Sequence, residues 1–244
     1  MTPRASWHAG RRITVINPNT SASMTAAVVA AAQTVAAPGT RITGATPSSG
    51  VGEIESHVDE AWGAAGVIEQ VLAGERAGTD GYVIACFGDT GVPAAREIAA
   101  GPVVGMTEAA LLTAALIAHR FAVVTMPRRT IEQSDRVVRS LGLEHRCAVH
   151  AVDVPVAEVT GGSTHLLDLF VAESRRAMDG FGAEAIVLGC AGLTDLVDPL
   201  VTALGIPVID GVLAAVTMVE GLLAQHLSTS RASTFAAPDR LGPS

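Results

Sequence analysis

Tyr82-Val83-Ile84-Ala85-Cys86-Phe87-Gly88-Asp89-Thr90-Gly91 is an aliphatic run that stops at a thiol and then turns. The uncharged run reads as a buried strand, and the glycines and aspartate behind it read as a turn into a helix. Ala185-Ile186-Val187-Leu188-Gly189-Cys190-Ala191-Gly192-Leu193-Thr194 repeats this order of events, with Cys190 placed as Cys86 is, 104 residues later. Asn17 and Thr125 are 108 apart, and Pro102-Val103 and Pro207-Val208 are 105 apart. Three near-equal offsets predict an internal duplication and two similar lobes.

Outward from this stretch, strands are predicted over 13–16, 41–45, 82–85 and 102–105, with helices over 24–35, 55–73, 91–99 and 107–118. The second half restarts with strands over 121–124, 147–154 and 185–188 and helices over 131–141, 166–178 and 196–204, and 206–210 leads into a last helix, 212–223. Strands alternating with helices predict an α/β protein with two pseudosymmetric lobes, each a short parallel sheet flanked by helices with right-handed crossovers. Lobe 1 is expected to comprise 1–105 and 208–228, lobe 2 residues 106–207, and 229–244 a polar, disordered tail. Open parallel sheets bind ligands beyond the carboxyl ends of their strands, where both cysteines, Asn17 and Thr125 fall. The active site is therefore expected in the cleft between the lobes.

Composition narrows the function. The 244 residues carry a net charge of −8 and are 49% hydrophobic but only 3% aromatic. A core of small aliphatic side chains suits helices packed on parallel sheets. The acidic balance, and the lack of a basic cluster interleaved with aromatics, argue against nucleic acid and anionic membranes and for a small-molecule ligand. All 16 basic residues are arginine, so neither a pyridoxal phosphate Schiff base nor a P-loop lysine is available. No apolar run reaches the roughly 18 residues that span a bilayer, residues 1–12 hold no apolar leader segment, and three scattered cysteines make no disulfide framework. A soluble cytoplasmic protein with reduced thiols is expected.

Cys86 and Cys190 each end a strand near a predicted helix start, where free N–H groups and the helix dipole are expected to lower a thiol pKa. Two thiols on opposite faces of a planar carbanion can take a proton from one side and return one to the other, inverting a stereocentre. No metal or organic cofactor is required if backbone N–H groups of the turns Phe87-Gly88-Asp89 and Ala191-Gly192-Leu193 hold the developing oxyanion. Cys147 lies in an alternating strand pattern and reads as structural; Cys147-x-x-His150 is half a zinc spacing with no second half. Asn17 is either a helix cap or a ligand to a carbonyl or ring N–H, and Asp89 either a cap or a partner that tunes Cys86. Glu55, Asp59 and Glu60 read as a solvated helix face, and Arg128 and Arg129 as surface arginines.

Six stretches in order, Ile16-Asn17-Pro18-Asn19-Thr20-Ser21, Ile54-Glu55 with Asp59-Glu60-Ala61, Ala85-Cys86-Phe87-Gly88-Asp89, Val123-Val124-Thr125, Leu188-Gly189-Cys190-Ala191-Gly192 and Pro207-Val208-Ile209-Asp210-Gly211, resemble the aspartate/glutamate racemase superfamily, and within it the hydantoin racemase branch. The resemblance covers about residues 13 to 224. It implies a cofactor-independent racemase, homo-oligomeric and cytoplasmic, with catalytic Cys86 and Cys190 and a substrate pocket lined by Asn17, Pro18, Gly88, Asp89, Thr125, Ala191 and Gly192. The substrates it implies are 5-substituted hydantoins, allantoin among them, inverted at C5. Thr90-Gly91-Val92 departs from the Pro-Gly-Leu expected of the branch. The alternatives are an isomerase of another small carboxylate or amino acid, such as aspartate, glutamate or maleate, and a non-catalytic protein that binds a small metabolite. The Cys-Asn-Thr and Cys-Thr-His turns of the amino-acid racemases are absent.

Overall fold

The computed structural model describes residues 10–161 and 164–239. The first half builds β1 (Arg12–Ile16), α1 (Ala22–Val35), β2 (Arg41–Ala45), α2 (His57–Ala77), β3 (Gly81–Ile84), α3 (Val92–Ile98), β4 (Val103–Gly105) and α4 (Met106–Ile117). The second half builds β5 (Phe121–Thr125), α5 (Ile131–Ser140), β6 (Cys147–Ala151), α6 (Thr164–Phe181), β7 (Ile186–Gly189), α7 (Val197–Leu204), β8 (Val208–Ile209) and α8 (Gly211–Ala224). Three 3-10 segments, Arg128–Thr130, Val156–Gly161 and Ala191–Leu196, were not anticipated from the sequence.

The strands form two four-stranded parallel sheets, ordered β2-β1-β3-β4 and β6-β5-β7-β8. The same order in both halves is the α/β, two-lobed architecture the repeated motifs predict. The central strands are apolar on both faces: every residue of β3, β5 and β7 is buried, as helices on both sides of a parallel sheet require. Serines cap the first two helices, Ser21 accepting from the Met24 N–H and Ser56 from the Asp59 N–H, so α2 starts two residues later than the predicted helix 55–73.

The return of the chain to its first lobe comes later than expected. Val208–Ile209 pair with β7 in the second sheet, and only α8 crosses back to pack on α1, α4 and β3. Asp210, at the crossing, caps α8 by accepting from the Val212 and Leu213 N–H groups. In the expected disordered tail, residues 229–239 contain no helix or strand, but Arg231 donates to the carbonyls of Arg96 and Glu97 behind α3; residues 240–244 of that tail, and 1–9 at the other end, lie outside the described residues. Among the described residues no helix is long and apolar enough to cross a membrane.

Candidate active site

Cys86, two residues past β3, and Cys190, one past β7, line one cavity between the sheets, and charge on Cys190 disfavours ionisation of Cys86. Close approach at the floor is set by Gly189, where a Cβ would lie 2.5 Å from Thr125 Cβ, so the ends of β5 and β7 can pack tightly beneath the sulfur only with glycine there. The cavity has a volume of about 40 Å³.

Of the residues expected around the substrate, Asn17, Thr125 and Ala191 line the cavity, whereas Pro18, Gly88, Asp89 and Gly192 do not. Asn17 and Thr125 are spent internally. The Asn17 amide nitrogen lies 2.7 Å from Asn19 Oδ1 and 3.1 Å from Thr25 Oγ1, and the Thr125 hydroxyl donates to the Gly189 carbonyl at 3.0 Å. Asp89 instead caps α4 from a distance in sequence: its carboxylate accepts from the Thr107 N–H at 2.8 Å and the Glu108 N–H at 2.9 Å. Its backbone sits at φ 56°, a conformation few residues other than glycine, asparagine and aspartate tolerate. Gly105 makes room for that carboxylate, since a Cβ there would lie 2.3 Å from Asp89 Cγ.

The electrostatics correct the expectation of acidic thiols. Burial pushes Cys86 up to about 12, against a hydrogen bond from Thr90 that lowers it. Burial likewise pushes Cys190 up to about 11, against the backbone N–H groups of Gly192 and Ala191, which lower it. The dipole argument fails at Cys86 because α3 begins only at Val92, and desolvation outweighs the few donors present. The first turn is also poorer in free donors than expected: the Gly88 N–H donates to Thr107 Oγ1 and the Asp89 N–H to the Cys86 carbonyl. In the second turn the N–H groups serve the thiol itself.

Several cavity residues were not picked out by sequence: Asn19, Met24, Ile54, Thr130, Gln133 and Val156. The carboxylates read as a solvated face clasp the lobes instead. Glu55 accepts from the Val156 N–H at 2.7 Å, Glu60 pairs with Arg136 of α5, and only Asp59 stays local, capping α2 through Ser56. Arg128 faces a separate hollow with His150 and Glu173. Cys147 packs into the core on the α5 side of β6, while His150 on the other face bonds Glu173 of α6. Among the described residues, no charged side chain lines the thiol cavity.

Residues 13–219 match the family model described as Asp/Glu/hydantoin racemase. A hydantoin racemase of Rhizobium meliloti is 42% identical over 227 residues, 93% of this chain and 94% of that protein. Among solved structures, an allantoin racemase from Klebsiella pneumoniae superposes with a TM-score of 0.92 at 46% identity, covering 95% of each chain. One from Pseudomonas fluorescens gives 0.91 at 36% identity, covering 94% of this chain and 97% of its own. Two like-ordered parallel sheets that bring a cysteine each to one cavity, and a match spanning nearly the whole chain, make this protein a member of the Asp/Glu/hydantoin racemase family of isomerases.

Proposed function

We propose that the protein racemises 5-substituted hydantoins, allantoin included, by proton transfer at C5 between Cys86 and Cys190. The observation that carries this reading is a cavity flanked by a thiol from each half, with no charged side chain among the described residues that line it. An aspartate, glutamate or maleate carboxylate buried there would have no cation to pair with among the described residues, and an unpaired buried carboxylate is expensive. A neutral ring pays no such penalty, which favours the hydantoin over the carboxylate isomerases of the same family.

The chemistry balances on the two sulfurs. One thiolate takes the C5 proton, the C–H electron pair delocalises into the adjacent C4 carbonyl as an enolate, and the opposite thiol returns a proton to the other face. The thiol and thiolate have then exchanged places. A thiolate whose conjugate acid has a pKa of about 11 to 12 is a stronger base than an ordinary one, which suits a carbon acid, although few copies are ionised at neutral pH. Asn17, Thr125 and Ala191 shape the walls; Pro18, Gly88, Asp89 and Gly192 support the pocket from behind it. Free thiols favour the cytoplasm, and the exposed Leu112, Leu116 and Ile117 of α4 favour burial against another copy.

The test is to incubate single enantiomers of a panel of 5-substituted hydantoins and allantoin in D₂O. Loss of optical rotation with deuterium mainly in the inverted product is expected, and Cys86→Ser and Cys190→Ser should each abolish inversion. Near-wild-type racemisation by either variant would end the two-thiol reading, and no turnover of any substrate would favour a non-catalytic binding protein.

A further inference from the structure

Gln133 is the polar side chain of the cavity that no protein group satisfies. It sits on α5, is 3% exposed and lines the cavity from the second lobe. Its carboxamide has no hydrogen-bond partner among the described residues. Across the seam, a Cβ built on Gly88 would lie 3.2 Å from Gln133 Cβ and 3.8 Å from its Oε1, so the side chain stands against the turn that follows Cys86. Its amide atoms are nevertheless open to solvent, since among the described residues Ser174 Oγ is the buried side-chain polar atom without a partner, and a ligand that enters the cavity can take water's place on them.

The other amides nearby are not equivalent. Asn17 is used up within its own turn, while Asn19 offers its amide nitrogen only to the sulfur of Met24, at 3.6 Å. Of these three amides, Gln133 is the one that keeps its full donor-and-acceptor edge unpaired by described residues. Its complement is a planar group presenting N–H and C=O side by side. A five-membered ring that holds an amide cis presents such an edge, whereas an open-chain trans amide points the two groups apart. In a hydantoin each ring nitrogen stands beside a carbonyl.

We infer that Gln133 is the specificity-determining residue of the site, pairing its carboxamide with the cis-amide edge of a cyclic ureide and fixing the ring between the two sulfurs. This rests on the racemase reading and adds to it what the protein recognises. Such a site rejects analogues that cannot make both hydrogen bonds, because its own groups are then stranded.

The experiment compares kcat/KM for one 5-substituted hydantoin with its 1-methyl and 3-methyl derivatives, in wild type, Gln133→Leu and Gln133→Glu. N-methylation leaves the C5 proton in place and removes one ring donor. Wild type should discriminate at least tenfold against methylation at one of the two nitrogens. Gln133→Leu should lose at least tenfold on the parent ring and bring the parent-to-methyl ratio at that nitrogen to within about threefold of one. Gln133→Glu, which keeps the shape but has no donor, should also lose activity on the parent. A Gln133→Leu enzyme that is slower but keeps the wild-type ratio overturns the inference, leaving Gln133 a structural residue. So does a wild type that turns over both N-methyl rings as fast as the parent, which needs no variant at all. If wild type racemises none of the rings, the racemase reading fails instead.

Discussion

The hydroxyl of Thr90 lies 3.4 Å from the sulfur of Cys86, close enough to stabilise that thiolate, while Cys190 leans on the backbone N–H groups of Gly192 and Ala191. The two thiols are thus supported by different means, and only one support is a removable side chain. Thr90→Val keeps the methyl that packs toward Gly63 and deletes the donor. Alkylation of Cys86 by iodoacetamide, followed in a background lacking Cys147 and Cys190, should slow by about tenfold, the effect of one charge-assisted hydrogen bond. Thr90→Ser should restore it to within about twofold. An unchanged rate in Thr90→Val would show that the hydroxyl does not act on the sulfur.

Asp89 predicts a pH effect on stability. Burial and the nearby Glu108 carboxylate raise it from 3.8 to about 7, so between those values the folded protein holds a proton that the unfolded chain has released. Its contribution to stability is therefore fullest at low pH and declines as pH rises through that window. Asp89→Asn, which tolerates the same φ and keeps one cap bond, should remove that slope in urea unfolding at pH 5 and pH 8. Asp89→Ala loses the cap and the tolerated conformation and should cost about 2 kcal/mol. An alanine variant as stable as wild type would contradict the capping role.

The three thiols give the alkaline counterpart. Their values of about 12, 12 and 11 at Cys86, Cys147 and Cys190 exceed the ordinary 9.0 because of burial. Below about pH 9 their contribution is complete; above it unfolded thiols ionise while folded ones keep their protons. Stability should then fall by about 1.4 kcal/mol per pH unit for each thiol until the folded values are reached. Unfolding free energies at pH 8, 9 and 10 measure the slope, and a flat profile would mean that the thiols are better solvated than their burial implies.

Cys147 should be separable from catalysis. It is buried among Val137, Val138 and Leu143, on the core side of an edge strand. Cys147→Ala should keep racemisation within about twofold of wild type, lose about 1 kcal/mol of stability and shed one third of the alkaline slope. Loss of turnover with intact folding would place a third thiol in the chemistry.

The strands, their parallel order and the convergence of Cys86 and Cys190 were legible because an apolar run closed by small turn residues has one reading in an α/β chain. Thiol ionisation was not, because it depends on how many donors reach each sulfur against how much water is lost, and the late start of α3 decides that at Cys86. Gln133 was hidden for a related reason. On an amphipathic helix rich in arginine a glutamine reads as solvent-facing, and its burial is created by the turn at Gly88, which comes from the other lobe. Glu55 and Glu60 were misread likewise, their partners Val156 and Arg136 being remote in sequence.

Because α8 crosses back to lie on α1, α4 and β3, the half of the molecule that is translated first is the last to be finished. On the ribosome, the apolar flank of the early strands must wait uncovered until the chain has emerged through residue 224. The late segment is thus a closing latch for the N-terminal portion, and a message truncated near codon 210 would yield a product inviting aggregation or chaperone capture rather than a working half-enzyme.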